Sequence, residues 1–242
     1  MMTNKPLILG LLSFLIATSA QTKPAAPPKP AAPHEPPPQA AVQLVTTKQA
    51  IPKNFKTYSL FLVCNPRWLD PAKNAGLLQL YRQFETFGRA IGDDHAAVWF
   101  WKSNSYEHND AALAQIVDVE RSVRFCQAWK LTPSEGPHLV ITSTYPDESH
   151  LSTGLPKDSA VYKLGDMAPP DISALLAKLT DQLIASGKVD NPAGTPSPIP
   201  PAKFWIQLLA ATQQMINSFG CAWSFKINAG PVSADLKSCK TS

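Results

Sequence analysis

Three short, almost unbroken apolar runs in the middle of this chain limit its fold more than any other feature. Residues 58–63 (Tyr-Ser-Leu-Phe-Leu-Val), residues 96–101 with Val98, Trp99, Phe100 and Trp101, and residues 139–142 all have strand length. A strand without polar alternation is buried on both faces, so helices must cover both sides of its sheet. Helical stripes lie between the runs. Asp70 and Pro71 offer a cap and a first-turn proline, and Leu77, Leu80, Tyr81, Phe84, Phe87 and Ile91 then recur at helical spacing until Gly92. Ile116, Val119, Val123 and Cys126 mark a second helix, which Thr132 and Pro133 end. Gly136 and Pro137 open the third run, residues 160–164 read as a fourth strand, and a last helix begins near residues 169–171. Its stripe is Ile172, Leu175, Leu176, Leu179 and Leu183, with Gly187 in the position of a C-terminal cap.

Strand, helix, strand, helix, strand, strand, helix is also the order of elements in thioredoxin-like proteins, which this chain resembles over residues 57–187. The resemblance rests on that order and on Pro137, immediately before the third strand, where the family places a cis-proline. It implies an α/β three-layer sandwich with Pro137 beside the segment Cys64-Asn65-Pro66-Arg67-Trp68-Leu69-Asp70, the place of the family's active-site loop. The chain departs from the family in one respect: it contains no Cys-x-x-Cys, and Cys64 stands a few residues too early for the family's first redox cysteine. The resemblance therefore implies the fold and argues against the family's dithiol chemistry.

At the N-terminus, Lys5 precedes an apolar run over residues 7–16, small residues Ala17, Ser19 and Ala20 follow, and residues 24–38 are rich in proline and alanine. That is the order of a secretory leader cleaved after Ala20 and an extended spacer; a leader kept as an anchor is the alternative. The run is shorter than the roughly 20 apolar residues of a membrane span, and no later stretch avoids charge and proline for so long. The chain divides into a leader (1–20), a Pro/Ala-rich linker (21–44), a thioredoxin-like domain (45–187), a second proline-rich linker (188–201) and an appendage (202–242). The expected location is periplasmic or extracellular, where thiols oxidise. A net charge of +4 without a dense basic run excludes a nucleic-acid surface.

The appendage reads as an amphipathic helix followed by a hairpin. Phe204, Leu208, Ala211, Met215 and Phe219 share one side of the helix; Trp223, Phe225 and Ile227 then alternate, residues 228–231 turn, and residues 232–236 return. Folding on that turn brings Cys221 opposite Cys239, two of the four cysteines, and the expected bridge staples the hairpin. So small a unit is expected to pack on the main domain.

Cys64 has three open fates. In the thioredoxin arrangement the second helix ends near the first strand, which offers Cys126 as a partner. An inert buried thiol is the second fate. The third is a thiolate of lowered pKa at a helix N-terminus, acting as a single nucleophile. Arg67 and Trp68, with Pro137, are candidates for holding an anionic or peptide ligand by charge and stacking. Glu107-His108-Asn109-Asp110 and Asp147-Glu148-Ser149-His150 contain metal-capable side chains without a recognised spacing and read as hydrated turns. No Gly-x-Ser-x-Gly, His-Glu-x-x-His or phosphate loop is present, and neither a metal nor a cofactor is expected. The expected function is that of an exported, redox-inactive thioredoxin-like domain, binding a protein or peptide partner in the cell envelope. The alternative is a thiol-disulfide or peroxide-reducing enzyme that uses Cys64 near Pro137.

Overall fold

The computed structural model describes residues 42–70, 72, 75–103, 109–151, 153–188, 201–216, 223–230 and 232–237, all within one compact unit, Pro38–Ser242. In chain order the elements are β1 (Val42–Thr46), β2 (Thr57–Leu62), α1 (Leu77–Ile91), β3 (His95–Trp101), α2 (Asp110–Ile116), α3 (Val119–Ala128), β4 (His138–Thr142) and β5 (Ser159–Lys163). They continue with α4 (Pro169–Lys188), α5 (Pro201–Met215), β6 (Ser224–Ala229) and β7 (Val232–Lys237). The protein is thus a mixed α/β structure in which, among the described residues, five helices accompany a seven-stranded sheet of order β1-β3-β2-β4-β5-β6-β7. β1 and β2 both run parallel to β3, and every other neighbouring pair is antiparallel. The three apolar runs are therefore neighbours, with β2 between β3 and β4.

Register explains why these strands carry so few polar residues. Trp99, Phe61, Leu139, Tyr162, Phe225 and Leu236 form one row across the sheet, and the next row is Val98, Leu60, Val140 and Val161. Successive residues of a strand face opposite sides, so the two rows belong to two cores. The first lies under α1, α4 and α5, with Phe84, Phe87, Leu175, Leu179, Phe204 and Leu208 packed into it. The second is covered by Phe125 and Cys126 of α3, by Trp129 just after it and by loop residues such as Ile51. Each large side chain sealed in these rows contributes about 2 kcal/mol. α1 lies as close to β3 as glycine permits: a Cβ on Gly88 would stand 2.6 Å from the Cβ of Ala97.

Several boundaries differ from the sequence reading. α1 starts at Leu77 rather than at Asp70, because residues 66–69 form a short 3-10 turn and Asp70 accepts from Ala72 N, at 3.0 Å, ahead of the helix. The carboxylate that serves the start of α1 comes instead from Asp110, which accepts from Gly76 N at 2.9 Å and Leu78 N at 2.7 Å. The expected second helix is two helices: Val117 bridges to Trp101, and Asp118 caps a new start by accepting from Arg121 N. The hairpin, expected only to pack on the main domain, joins its sheet, for β6 pairs with β5. β1 begins at Val42, inside the stretch read as linker. No peptide bond among the described residues is cis, so Pro137 is trans where the resemblance implied cis. Cys221, Cys239, the leader and most of both linkers lie outside the described residues. No helix among the described residues is long and apolar enough to cross a membrane.

Candidate functional site

Cys64 stands two residues past the end of β2 and is bonded to Cys126 on α3, with the two α-carbons 5.8 Å apart. Of its three fates the structure takes the bridge. Both cysteines are buried, at 3% and 1% exposure. β4 supplies a neighbour that sequence reasoning missed: buried His138, whose Nδ1 lies 3.3 Å from Cys64 Sγ. The register pairs His138 with Leu62, two residues before Cys64, which puts the imidazole on the same face as the sulfur.

The ligand candidates separate. Trp68 is buried against Phe61, and its indole Nε1 donates to Met167 O at 3.0 Å, tying the 3-10 turn after β2 to the loop after β5. Pro137 is buried too, and its carbonyl accepts from Leu164 N at 3.0 Å. Both residues therefore hold residues 164–167 rather than line an open groove. Gly136 fits the same junction because it has no side chain: its φ is +79°, and a Cβ would lie 1.6 Å from Gly165 O. Only Arg67 of this group is exposed.

Two buried polar clusters stand elsewhere. His95 Nδ1 is 2.8 Å from Thr57 Oγ1 and His95 Nε2 is 2.9 Å from Ser59 Oγ, across the β2–β3 pair. Burial pushes the imidazole pKa down to about 3, so it is neutral. A serine beside a histidine is the start of a nucleophilic pair, but Ser59 has no exposed surface and no substrate reaches it. The other cluster centres on buried Arg121, which donates to Thr46 O at 2.6 Å, to Gln49 O at 2.7 Å and to both carboxylate oxygens of Glu148, and lies over the Phe100 ring. Thr47 Oγ1 donates to Asp118 Oδ2 at 2.8 Å beside it, so β1 is fastened to α3 at its C-terminal end.

The turn at residues 147–150 is exposed at Ser149 and His150, half-buried at Asp147 and Glu148, and bonds largely within itself. Asp147 accepts from Ser149 N and Oγ, the hydrogen bonds that hold its carboxyl below the usual carboxylate range, and Glu148 turns to Arg121. Glu107 and His108 lie outside the described residues. His138 and His95 left one kind of trace in the sequence, each a titratable residue beside an apolar run, whereas Arg121 stands in the polar sequence Glu120-Arg121-Ser122 and left none. No family model matches the chain, and neither curated proteins nor solved structures provide a match.

Proposed function

We propose that this chain is an exported thioredoxin-like domain that binds a protein or peptide partner in the cell envelope and does not catalyse disulfide exchange. The fold reading is supported by the sheet: a first strand and a central strand both parallel to β3, two antiparallel strands beyond, and a proline immediately before β4. The functional reading rests chiefly on one observation. Cys64, the cysteine nearest the family's active-site loop, is spent on a buried bond to Cys126, 62 residues away, and the start of α1 receives a carboxylate from Asp110 where a redox enzyme would present a thiolate. Exposed Arg67 is the residue left to meet a ligand. The bridge and the leader-like N-terminus together support an extracytoplasmic location.

An insulin-reduction assay in the presence of a dithiol tests the absence of catalysis, and the expected result is no turnover above the dithiol alone. Rapid alkylation of Cys64 in the native oxidised protein, with turnover, would establish the enzymatic alternative instead. Intact mass of the chain recovered from the envelope fraction should correspond to a mature start at Gln21.

A further inference from the structure

The two sulfurs of the buried bridge stand in unequal surroundings. Cys64 Sγ has the His138 imidazole at 3.3 Å, while Cys126 sits on the last turns of α3 among Phe125, Trp129 and Leu131. The layer this bridge holds is thin. α3 has ten residues, and the rest of the cover over Leu60, Val98, Val140 and Val161 comes from loop residues such as Ile51, Phe55, Tyr145 and Leu151. α3 touches β2 and β3 far more sparsely than α1 touches α4, and segments with so few neighbours are the parts of a protein that open at low free energy.

We propose that the Cys64–Cys126 bond is a reducible latch on this face of the sheet, and that His138 sets the direction in which it breaks. In thiol-disulfide exchange the sulfur whose thiolate is better stabilised leaves, and the other sulfur is attacked. An imidazole within hydrogen-bonding reach stabilises the Cys64 thiolate, so the incoming thiolate attacks Cys126 Sγ. The Cys64–Cys126 bond breaks with its electron pair on Cys64 Sγ, a mixed disulfide forms on Cys126, and His138 Nδ1–H hydrogen-bonds the departing thiolate and can pass it a proton. A second thiolate of the reductant then attacks the mixed disulfide. The balance is one disulfide reduced to two thiols and two reductant thiols oxidised to one disulfide. Release frees α3 from the end of β2, leaving the Arg121 cluster as its polar tie to β1. The latch is a stoichiometric device and is independent of the proposed binding role, since it needs no ligand and gives no turnover.

The test uses the native full chain and reduced glutathione, with exchange trapped by N-ethylmaleimide and the adducts located by peptide mapping. Glutathione should be found on Cys126 and N-ethylmaleimide on Cys64, with a preference of about ten to one over the reverse. His138→Gln should bring that ratio toward one and slow reduction about tenfold at unchanged circular dichroism. The wild-type ratio decides by itself if the variant fails to fold. Glutathione on Cys64 as often as on Cys126 would overturn the assignment to His138, and no adduct short of global unfolding would overturn the latch.

Discussion

His95 is neutral in the folded protein because the sheet and α1 seal it away from water, with two hydroxyls satisfying its ring nitrogens. In the unfolded chain the same imidazole titrates near 6.5, the ordinary value for histidine. Its folded pKa, pushed down to about 3, lies below that value. Between these limits the unfolded state takes up a proton that the folded state refuses, so stability falls as the pH falls from 6.5 toward 3. Urea unfolding should show a loss of about 2 kcal/mol between pH 7 and pH 5, a window above the range where carboxylates titrate. His95→Gln should flatten that slope whatever it does to stability at pH 7, and a slope left intact in the variant would remove His95 as its source. Gly136 makes a second expectation at this scale. Alanine there combines a left-handed φ with a Cβ placed inside the van der Waals radius of Gly165 O, and Gly136→Ala should cost about 3 kcal/mol or more in the same measurement. Neither residue announced its role in the sequence. A histidine before an apolar run and a glycine before a proline read the same whether they are buried or exposed, because burial is decided by segments 36 to 38 residues away in the hydrogen-bond pattern of His95.

At the scale of elements, the short helix α3 is held by two devices that differ in kind. The disulfide closes a loop of 62 residues, which in the chain-entropy account constrains the unfolded state by about 4 kcal/mol. The double variant Cys64→Ala with Cys126→Ala should lower stability by roughly that amount in urea and raise hydrogen exchange in α3 before α1 or α4. Arg121 acts through the folded state: its guanidinium is sealed in, 3% exposed, and Glu148 is only 24% exposed. Breaking a pair of this kind strands the partner charge, so Arg121→Met should cost about 3 kcal/mol and loosen β1, read as faster exchange of residues 42–46. The helices α1 and α4 and the strands β2 to β5 were legible because periodicity and apolar runs record how each segment is buried. The start of α1 was not, because Asp110 supplies its cap from 34 positions downstream. The break between α2 and α3 carried a readable sign in Asp118, an N-cap residue three before Arg121, which the continuous stripe Ile116, Val119, Val123 and Cys126 concealed.

For the whole molecule, the C-terminal segment is part of the sheet rather than an attachment to it. β6 takes the free edge of β5, and Tyr162 OH and Thr212 Oγ1 lie 2.6 Å apart between β5 and α5. A chain ending at residue 188 should expose the edge of β5 and the apolar cover left by α5, and should aggregate or lose its cooperative unfolding transition, checked by sedimentation and thermal melting. The last described pair of the hairpin, Ser224 with Lys237, stands three residues after Cys221 and two before Cys239. Peptide mapping of the oxidised protein should therefore recover a Cys221–Cys239 disulfide beside Cys64–Cys126. By itself the amino-acid order determined that β2 to β7 are strands and that α1, α4 and α5 are helices, since those properties depend on neighbours a few residues apart, while β1 and the break between α2 and α3 escaped it. Only the tertiary structure decided that Cys64 pairs with Cys126 beside His138, that Trp68 and Pro137 are consumed in holding the loop after β5, and that the hairpin completes a single seven-stranded sheet. Those outcomes turn on which distant surfaces meet once the chain has closed its loops, and no local pattern encodes that meeting.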